Sequence, residues 1–399
     1  MIPFSRPDAG PQEYAALKEV IASGWLTNGP QVARLEDRIQ LMTGTDGCVC
    51  LDSCTGAMAT VLRALGVKPG DEVITTPYTY TATAAVIHHV GAKIVFCDLA
   101  KGSFEMDYKK LPELITPRTK AIIPVDIGGV PCDYNAIYDA IFEKRDCFIP
   151  ESELQDAIGR ITVIADAAHS FSAKSWDCVV GQLADFTCFS FHVLKPITTG
   201  GEGGAIVWRG IPQIDTERIR YTLKLLSDAG QTKRGISKEG AGWEYDILYL
   251  GHNHIMTDMD AAVGMVQLDR LEGMTEKRIH ITRRYESALK GVAKPLIKHL
   301  PKDGKYQSAM HLMIVEIPGG ENRRNAVYDA MHDAGINCNV HYKPLPMMTA
   351  YKSLGYNIKD FPEALERFTK VLSLPYHSRL RLEEVDYICE QLKIALQKN

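Results

Sequence analysis

Between Gly47 and Asp166 short apolar runs alternate with helical stretches, and this alternation restricts the fold more than any other feature of the chain. The runs are Gly47-Cys48-Val49-Cys50-Leu51, Glu72-Val73-Ile74-Thr75, Lys93-Ile94-Val95-Phe96-Cys97, Lys120-Ala121-Ile122-Ile123-Pro124-Val125 and Arg160-Ile161-Thr162-Val163-Ile164-Ala165. Helical spacing fills the gaps at 57–65 and 83–89, and two amphipathic helices precede the series, the first over 11–23 with Tyr14, Leu17, Val20 and Ile21, the second with Val32, Leu35, Ile39 and Met42. Strands and helices in turn predict a mostly parallel, doubly wound α/β sheet. Ligands of such sheets sit outside the carboxyl ends of the strands. The residues that follow each strand are therefore the candidates for function: Asp52-Ser53-Cys54-Thr55-Gly56, then Pro77-Tyr78-Thr79-Tyr80, then Asp166-Ala167-Ala168-His169.

One lysine stands between two further apolar runs, Thr187-Cys188-Phe189-Ser190-Phe191 and Gly203-Gly204-Ala205-Ile206-Val207-Trp208. Lys195 is followed by Pro196-Ile197-Thr198-Thr199-Gly200-Gly201-Glu202. A lysine held there is either a surface residue of a hairpin loop or a desolvated amine, whose pKa falls until it condenses with a carbonyl. Ser53 to Gly56 reads in two ways as well, as a plain N-cap or as a phosphate cradle of free N–H groups at a helix start. Asp166 is an N-cap or a carboxylate aimed into the crevice. One group explains all these features together. Pyridoxal phosphate needs a lysine for a Schiff base, a carboxylate to keep its pyridine nitrogen protonated, a phosphate cup and a flat side chain on its ring. Lys195, Asp166, the Ser53 turn and Tyr80 supply them in order.

The remainder of the chain bounds the reading. Residues 136–159 look like an inserted helical excursion with a charged stretch at Glu143-Lys144-Arg145-Asp146. Helices are expected over 217–226, 256–271 and 275–293, a mobile Gly- and Lys-rich loop over 227–245, strands at 311–316 and 338–342, and helices at 322–334 and 383–396. This divides the chain into a large α/β domain, 1–255, and a linker helix with a smaller C-terminal α+β domain, 256–399. A net charge of -4 and a pI near 6.3 give nucleic acid or an anionic membrane no basic surface to bind. No apolar run spans a bilayer, no secretory leader opens the chain, and ten cysteines without a CxxC pair point to free thiols in a reducing cytoplasm and to no metal.

Read together, these motifs resemble the DegT/DnrJ/EryC1/StrS family of pyridoxal-phosphate-dependent nucleotide-sugar aminotransferases, of fold type I. The likeness runs through Ile2-Pro3-Phe4-Ser5-Arg6-Pro7, Ser23-Gly24-Trp25-Leu26-Thr27-Asn28-Gly29-Pro30, Gly70 to Thr75, Asp166 to His169, Ser190 to Gly204, Asn253, His341-Tyr342-Lys343-Pro344-Leu345 and Leu372-Ser373-Leu374-Pro375, leaving out only the insert. The resemblance implies a seven-stranded, mostly parallel sheet. It also implies that Lys195 bonds the cofactor and relays protons, that Asp166 pairs with the pyridine nitrogen, that His169 stands by the ring hydroxyl and that Tyr80 stacks on the ring. Ser53, Cys54, Thr55 and Ser190 would hold the phosphate, with Asn253 given to a neighbouring subunit of a homodimer. Thr27, His341 and Tyr342 match the sugar-nucleotide region. The implied reaction carries an amino group from a donor, L-glutamate by resemblance, through pyridoxamine phosphate to a keto-sugar nucleotide, in amino-sugar or polysaccharide biosynthesis.

Three departures stand out: Cys54 where the family has glycine, one glycine more than usual at Gly200-Gly201, and His254-Ile255 where Tyr-Arg follows the asparagine. Gly56 is expected to restore the backbone freedom lost at Cys54. The rivals are a sugar dehydratase of the same family, which carries histidine in place of Lys195, a non-catalytic sugar- or cofactor-binding regulator, and a fold type I enzyme acting on amino acids.

Overall fold

The structure is a computed structural model and describes residues 1–232 and 244–398. Most of the loop expected over 227–245 therefore lies outside the described residues. Seven strands form the main sheet: β1 (Gly47–Leu51), β2 (Glu72–Thr75), β3 (Lys93–Phe96), β4 (Thr119–Ile123), β5 (Thr162–Asp166), β6 (Phe186–Ser190) and β7 (Gly204–Trp208). Their order is β1-β7-β6-β5-β4-β2-β3. The pairs β2–β3, β2–β4, β4–β5 and β5–β6 are parallel, and β7 runs antiparallel to both β1 and β6. The reversal follows from the connection: β6 returns to β7 through the lysine loop with no helix crossing the sheet.

Every strand except the edge strand β3 is buried along its length. Burial on both faces explains why these strands are continuous apolar runs and do not alternate. The helices Pro30–Thr43 and Tyr134–Glu143 and the first half of Asp258–Ala288 pack on one face through Leu35, Ile39, Ile137, Ile141, Leu268 and Met274. Helices Cys54–Ala64, Thr81–His89 and Thr216–Ser227 cover the other through Met58, Leu62, Ile87 and Leu223.

The segment 136–159 is no excursion. Helices Tyr134–Glu143 and Glu153–Ile158 are the crossover from β4 to β5, with Ile137 and Ile141 fully buried. Ser152 Oγ and Gln155 Nε2 both donate to Leu65 O, at 2.8 and 2.7 Å, and tie it to the end of the helix that follows β1.

The two helical stretches expected after residue 256 are one helix of 31 residues, Asp258–Ala288. Its first half belongs to the large core; Ile281 and Tyr285 belong to the C-terminal one. There Lys294–Pro295, Met313–Glu316 and Val371–Leu374 make a three-stranded antiparallel sheet against helices Gly320–Asp333 and Leu382–Lys398. The expected strand at 338–342 pairs only at Asn339, opposite Ser373. We propose the division between the two units at 255/256, with the first residues crossing back: Ile2 N–H donates to Gly335 O at 2.7 Å. All ten cysteines are free, and no described helix is long and apolar enough to cross a membrane.

The start of β7 presses on the turn after β1. A Cβ on Gly204 would lie 2.4 Å from Ser53 C and 2.5 Å from Cys54 N, both backbone atoms. Gly204→Ala is therefore expected to lower stability by about 1–3 kcal/mol, read as a fall in the urea midpoint. An unchanged midpoint would mean that this close approach is not required.

Candidate functional site

Ser53 caps the helix Cys54–Ala64: its Oγ accepts from Gly56 N–H at 3.0 Å and donates to Asp52 Oδ1 at 2.8 Å. The amides of Cys54 and Thr55, in the opening turn, have no carbonyl one helical turn earlier, the arrangement from which a helix start can hold an anion. Cys54, the first helical residue, is buried, and its Sγ lies 3.3 Å from Cys188 O and 3.8 Å from Asp166 Oδ1. Burial, and then the charge of Asp166, push the Cys54 thiol well above its ordinary pKa, so it stays protonated.

Asp166 ends β5 and is 5% exposed. Thr83 Oγ1 donates to its Oδ2 at 2.6 Å, and Ala168 N–H to its Oδ1 at 3.2 Å. Burial raises the pKa of Asp166, while these donors and the charge of Lys195 pull it back. Thr83 escaped the sequence reading. It lies in the first turn of Thr81–His89, where a threonine reads as an ordinary helix residue.

Lys195 follows β6, half-buried, with its N–H on His192 O at 2.9 Å. Among the described residues its Nζ makes no hydrogen bond or ion pair. Burial lowers its pKa to about 8, with Asp166 and then Cys54 opposing the fall. The loop that carries it is closed by internal bonds: Val193 N–H on Gly201 O, Phe191 N–H on Gly203 O, Thr198 Oγ1 on Phe191 O and Thr199 Oγ1 on Glu202 O. The additional glycine is absorbed where Gly200 takes φ +117°, a conformation open to glycine. Ser190, the last residue of β6, is buried, and its Oγ accepts from His192 N–H at 3.4 Å.

Three imidazoles surround the lysine. His169 Nδ1 accepts from Gly128 N–H at 3.3 Å, which puts the ring proton on Nε2, 3.1 Å from Tyr342 Oη. His311 stands edge-on to His169 with ring centroids 4.7 Å apart. His341 Nδ1 pairs with Ser373 Oγ at 2.9 Å, and its carbonyl accepts from Tyr78 Oη at 2.7 Å. Burial, and then the charge of Lys195, push His169 and His311 well below the ordinary range and His341 to about 3. All three rings are neutral near pH 7. His311 was not read from the sequence, where it looks like the start of a strand. Its neighbours Met310 and Leu312 hold φ of 53° and 65°, conformations that cost free energy outside glycine and concentrate at functional sites.

Asp166, Lys195, Cys54, His169 and Tyr342 are thus brought together. Tyr80 is the residue before the first turn of Thr81–His89 and is 63% exposed, and its carbonyl lies 3.2 Å from Thr83 Oγ1, whose proton goes to Asp166. Thr55 is half-buried one residue after Cys54. Thr27 and Asn253 are exposed: Thr27 O accepts from Asp258 N–H, and Asn253 bridges Asp228. Neither shares a hydrogen bond with the cluster among the described residues. The Gly56 expectation needs correction. Gly56 lies within the helix, and its role is space: a Cβ there would meet Asp52 Oδ1 at 2.6 Å and His254 Cγ at 2.9 Å. His254, which replaces the usual tyrosine, fills that room and pairs through Nδ1 with Asp52 Oδ2 at 3.0 Å.

These residues fit pyridoxal 5′-phosphate: an amine without a partner and with a lowered pKa stands near a buried carboxylate, beside the opening turn of a helix. A half-buried lysine near a buried aspartate at the carboxyl edge of such a sheet suits a pyridoxal-phosphate enzyme. A profile of the DegT/DnrJ/EryC1/StrS aminotransferase family matches residues 7–393, and the chain belongs to that family. The chain is 42% identical to a Streptococcus pneumoniae protein described as a sugar aminotransferase, Spr1654, solved in a PMP form, with a TM-score of 0.96 and full coverage of both chains. Against Helicobacter pylori PseC, an aminotransferase involved in the biosynthesis of pseudoaminic acid, identity is 26% and the TM-score 0.85, again over both whole chains. The Bacillus subtilis spore coat polysaccharide biosynthesis protein SpsC is 32% identical over 398 residues, 98% of this chain and 96% of the relative.

A lysine titrating near 8 makes the apoprotein testable on its own. Acylation of Lys195 by an amine reagent, followed by peptide mass, should rise with pH through a midpoint near 8, because the neutral amine is the reactive form. Asp166→Ala removes the charge that opposes the fall and should move the midpoint lower. A midpoint near 10.5, the ordinary lysine value, would contradict the burial argument.

Proposed function

We propose that the protein transfers the amino group of L-glutamate to the ketone of a sugar nucleotide, in cytoplasmic amino-sugar or polysaccharide synthesis. The observation that carries this reading is the unpartnered Lys195 amine near Asp166. Bound pyridoxal phosphate supplies a carbonyl that exchanges amines and a ring that takes up electrons. In this reading Asp166, fixed by Thr83 and Ala168, holds the ring nitrogen protonated. His169, whose Nε2 is shared with Tyr342, would stand by the ring hydroxyl, and Tyr80 would lie against the ring. The amides of Cys54 and Thr55, with Ser53 and Ser190, would hold the phosphate.

Lys195 moves the proton. A group with pKa about 8 holds comparable neutral and charged populations near physiological pH, so it serves as base and acid in one cycle. His341, Tyr342 and Thr27 are assigned to the sugar nucleotide. The dehydratase rival has histidine at the lysine position, which Lys195 argues against.

We further propose a homodimer that shares its sites. Asn253 follows a run of exposed apolar side chains, Tyr245, Ile247, Leu248, Tyr249 and Leu250, and contiguous apolar surface of this kind is commonly covered by a partner. A second subunit seated there would receive Asn253 at its phosphate turn.

Lys195→Ala is expected to abolish amino transfer in a panel of keto-sugar nucleotides with glutamate as donor, followed by mass of the amino-sugar product. Transfer at the parent rate would end the reading, and loss of water from the keto sugar by the parent protein, with no nitrogen gained, would favour the dehydratase. Mixing Lys195→Ala with Asn253→Ala subunits tests the shared site. One native site per mixed dimer should raise activity at limiting cofactor above that of either variant alone, and no gain would refute sharing.

A further inference from the structure

Beside the lysine loop lies a small cavity whose walls include Lys195 and Pro196 but not Asp166, His169 or the Ser53 turn. The long helix contributes Gln267 and Arg278, the N-terminal segment Arg6 and Asp8, and the C-terminal unit His311 and His377. Its volume is about 20 Å³, room for one occupant of about the size of a water molecule.

Arg278 is 6% exposed. Its Nη2 donates to Pro196 O at 2.7 Å, the carbonyl directly after Lys195, whereas its buried Nη1 has no hydrogen-bond partner. A buried guanidinium with an unsatisfied N–H and no carboxylate in contact is costly. The acid that shares the cavity is already committed: Asp8 accepts from Arg270 at 2.8 Å and Ser378 at 3.0 Å, with Arg379 and Lys277 within 4.0 Å. Gln267 Nε2 is spent on Glu13 and Asp8 O. His377, 5% exposed, has both ring nitrogens buried without a close hydrogen-bond partner, the Pro3 backbone being the nearest polar group to act on the ring. Burial keeps His377 and His311 neutral, so each ring carries an N–H and adds no counter-charge.

We propose that this cavity binds one small monovalent anion of halide size, held by Arg278 Nη1 and His377. Water would satisfy the orphaned N–H groups but would bring no charge to Arg278, on which the committed carboxylate of Asp8 acts only at a distance. Arg278 and Arg6 outnumber Asp8 among the fixed charges of the walls, and the small volume suits a single small ion. Through Arg278 and Pro196 the anion braces the loop that positions Lys195. The inference does not depend on which sugar or donor the enzyme uses.

The test uses the full-length protein. Crystals grown without halide and soaked in sodium bromide should show an anomalous peak between Arg278, His377 and the lysine loop. Bromide confined to surface lysines, or an ordinary water in the cavity, overturns the proposal. In solution, thermal unfolding at constant ionic strength should show a saturable rise in Tm when bromide or chloride replaces gluconate, lost in Arg278→Met. The same rise in Arg278→Met would assign the effect to other sites. Should that variant fail to fold, the bromide soak of the parent protein decides alone.

Discussion

A carboxylate can be buried at a strand end only where donors converge on it, and at Asp166 they converge from separate crossovers. Thr83 comes from the helix after β2, Cys54 from the helix after β1, and Ala168 from the turn after β5 itself. Parallel strands make this meeting feasible, since each crossover helix starts from the same edge of the sheet. The strand order adds the lysine. β5 pairs with β6, Asp166 opposite Cys188, and the loop leaving β6 carries Lys195. Carboxylate and amine are neighbours because two strands are neighbours.

The antiparallel strand β7 sets the second constraint. It closes the lysine loop and reaches the sheet where its first residue touches the Ser53 turn, so Gly204 lets lysine loop and phosphate turn share one support. Gly56 and His254 form a comparable pair across the same turn: the missing Cβ makes room for an imidazole that is tied to Asp52. The departure at His254 and the glycine two residues after Cys54 are one steric arrangement.

The sheet was legible because its strands are buried on both faces, which leaves continuous apolar runs with turn residues at their ends. The placement of Asp166, Lys195 and the Ser53 turn near strand ends was legible for the same reason, since each lies at or within a few residues of such a run. What was not legible depends on contacts distant in sequence. Thr83 looks like any helix residue until Asp166 is placed 2.6 Å away. Crossover and excursion carry the same amphipathic pattern at 136–159, and only the burial of Ile137 and Ile141 separates them. The strained backbone beside His311 has no mark in the sequence, for methionine and leucine give no sign of positive φ.

The histidines decide which group titrates in the working range. Were His169, His311 or His341 charged, each would push the Lys195 amine further toward neutrality and would repel any cationic ring held by Asp166. Burial prevents this, and His341 gains its proton only near pH 3. Between that value and the lysine's own pKa of about 8 the three rings serve as fixed, uncharged walls. Tyr342, pushed far up by burial, holds its proton throughout. Among these basic and phenolic groups the proton exchanged at neutral pH therefore belongs to Lys195. Its loop is closed by its own backbone bonds and braced from beyond the sheet by Arg278 on Pro196 O. The long helix thus holds the loop of the residue to which the proposed chemistry is assigned, and the C-terminal residues reach the candidate site through that hold as well as through His311, His341 and Tyr342.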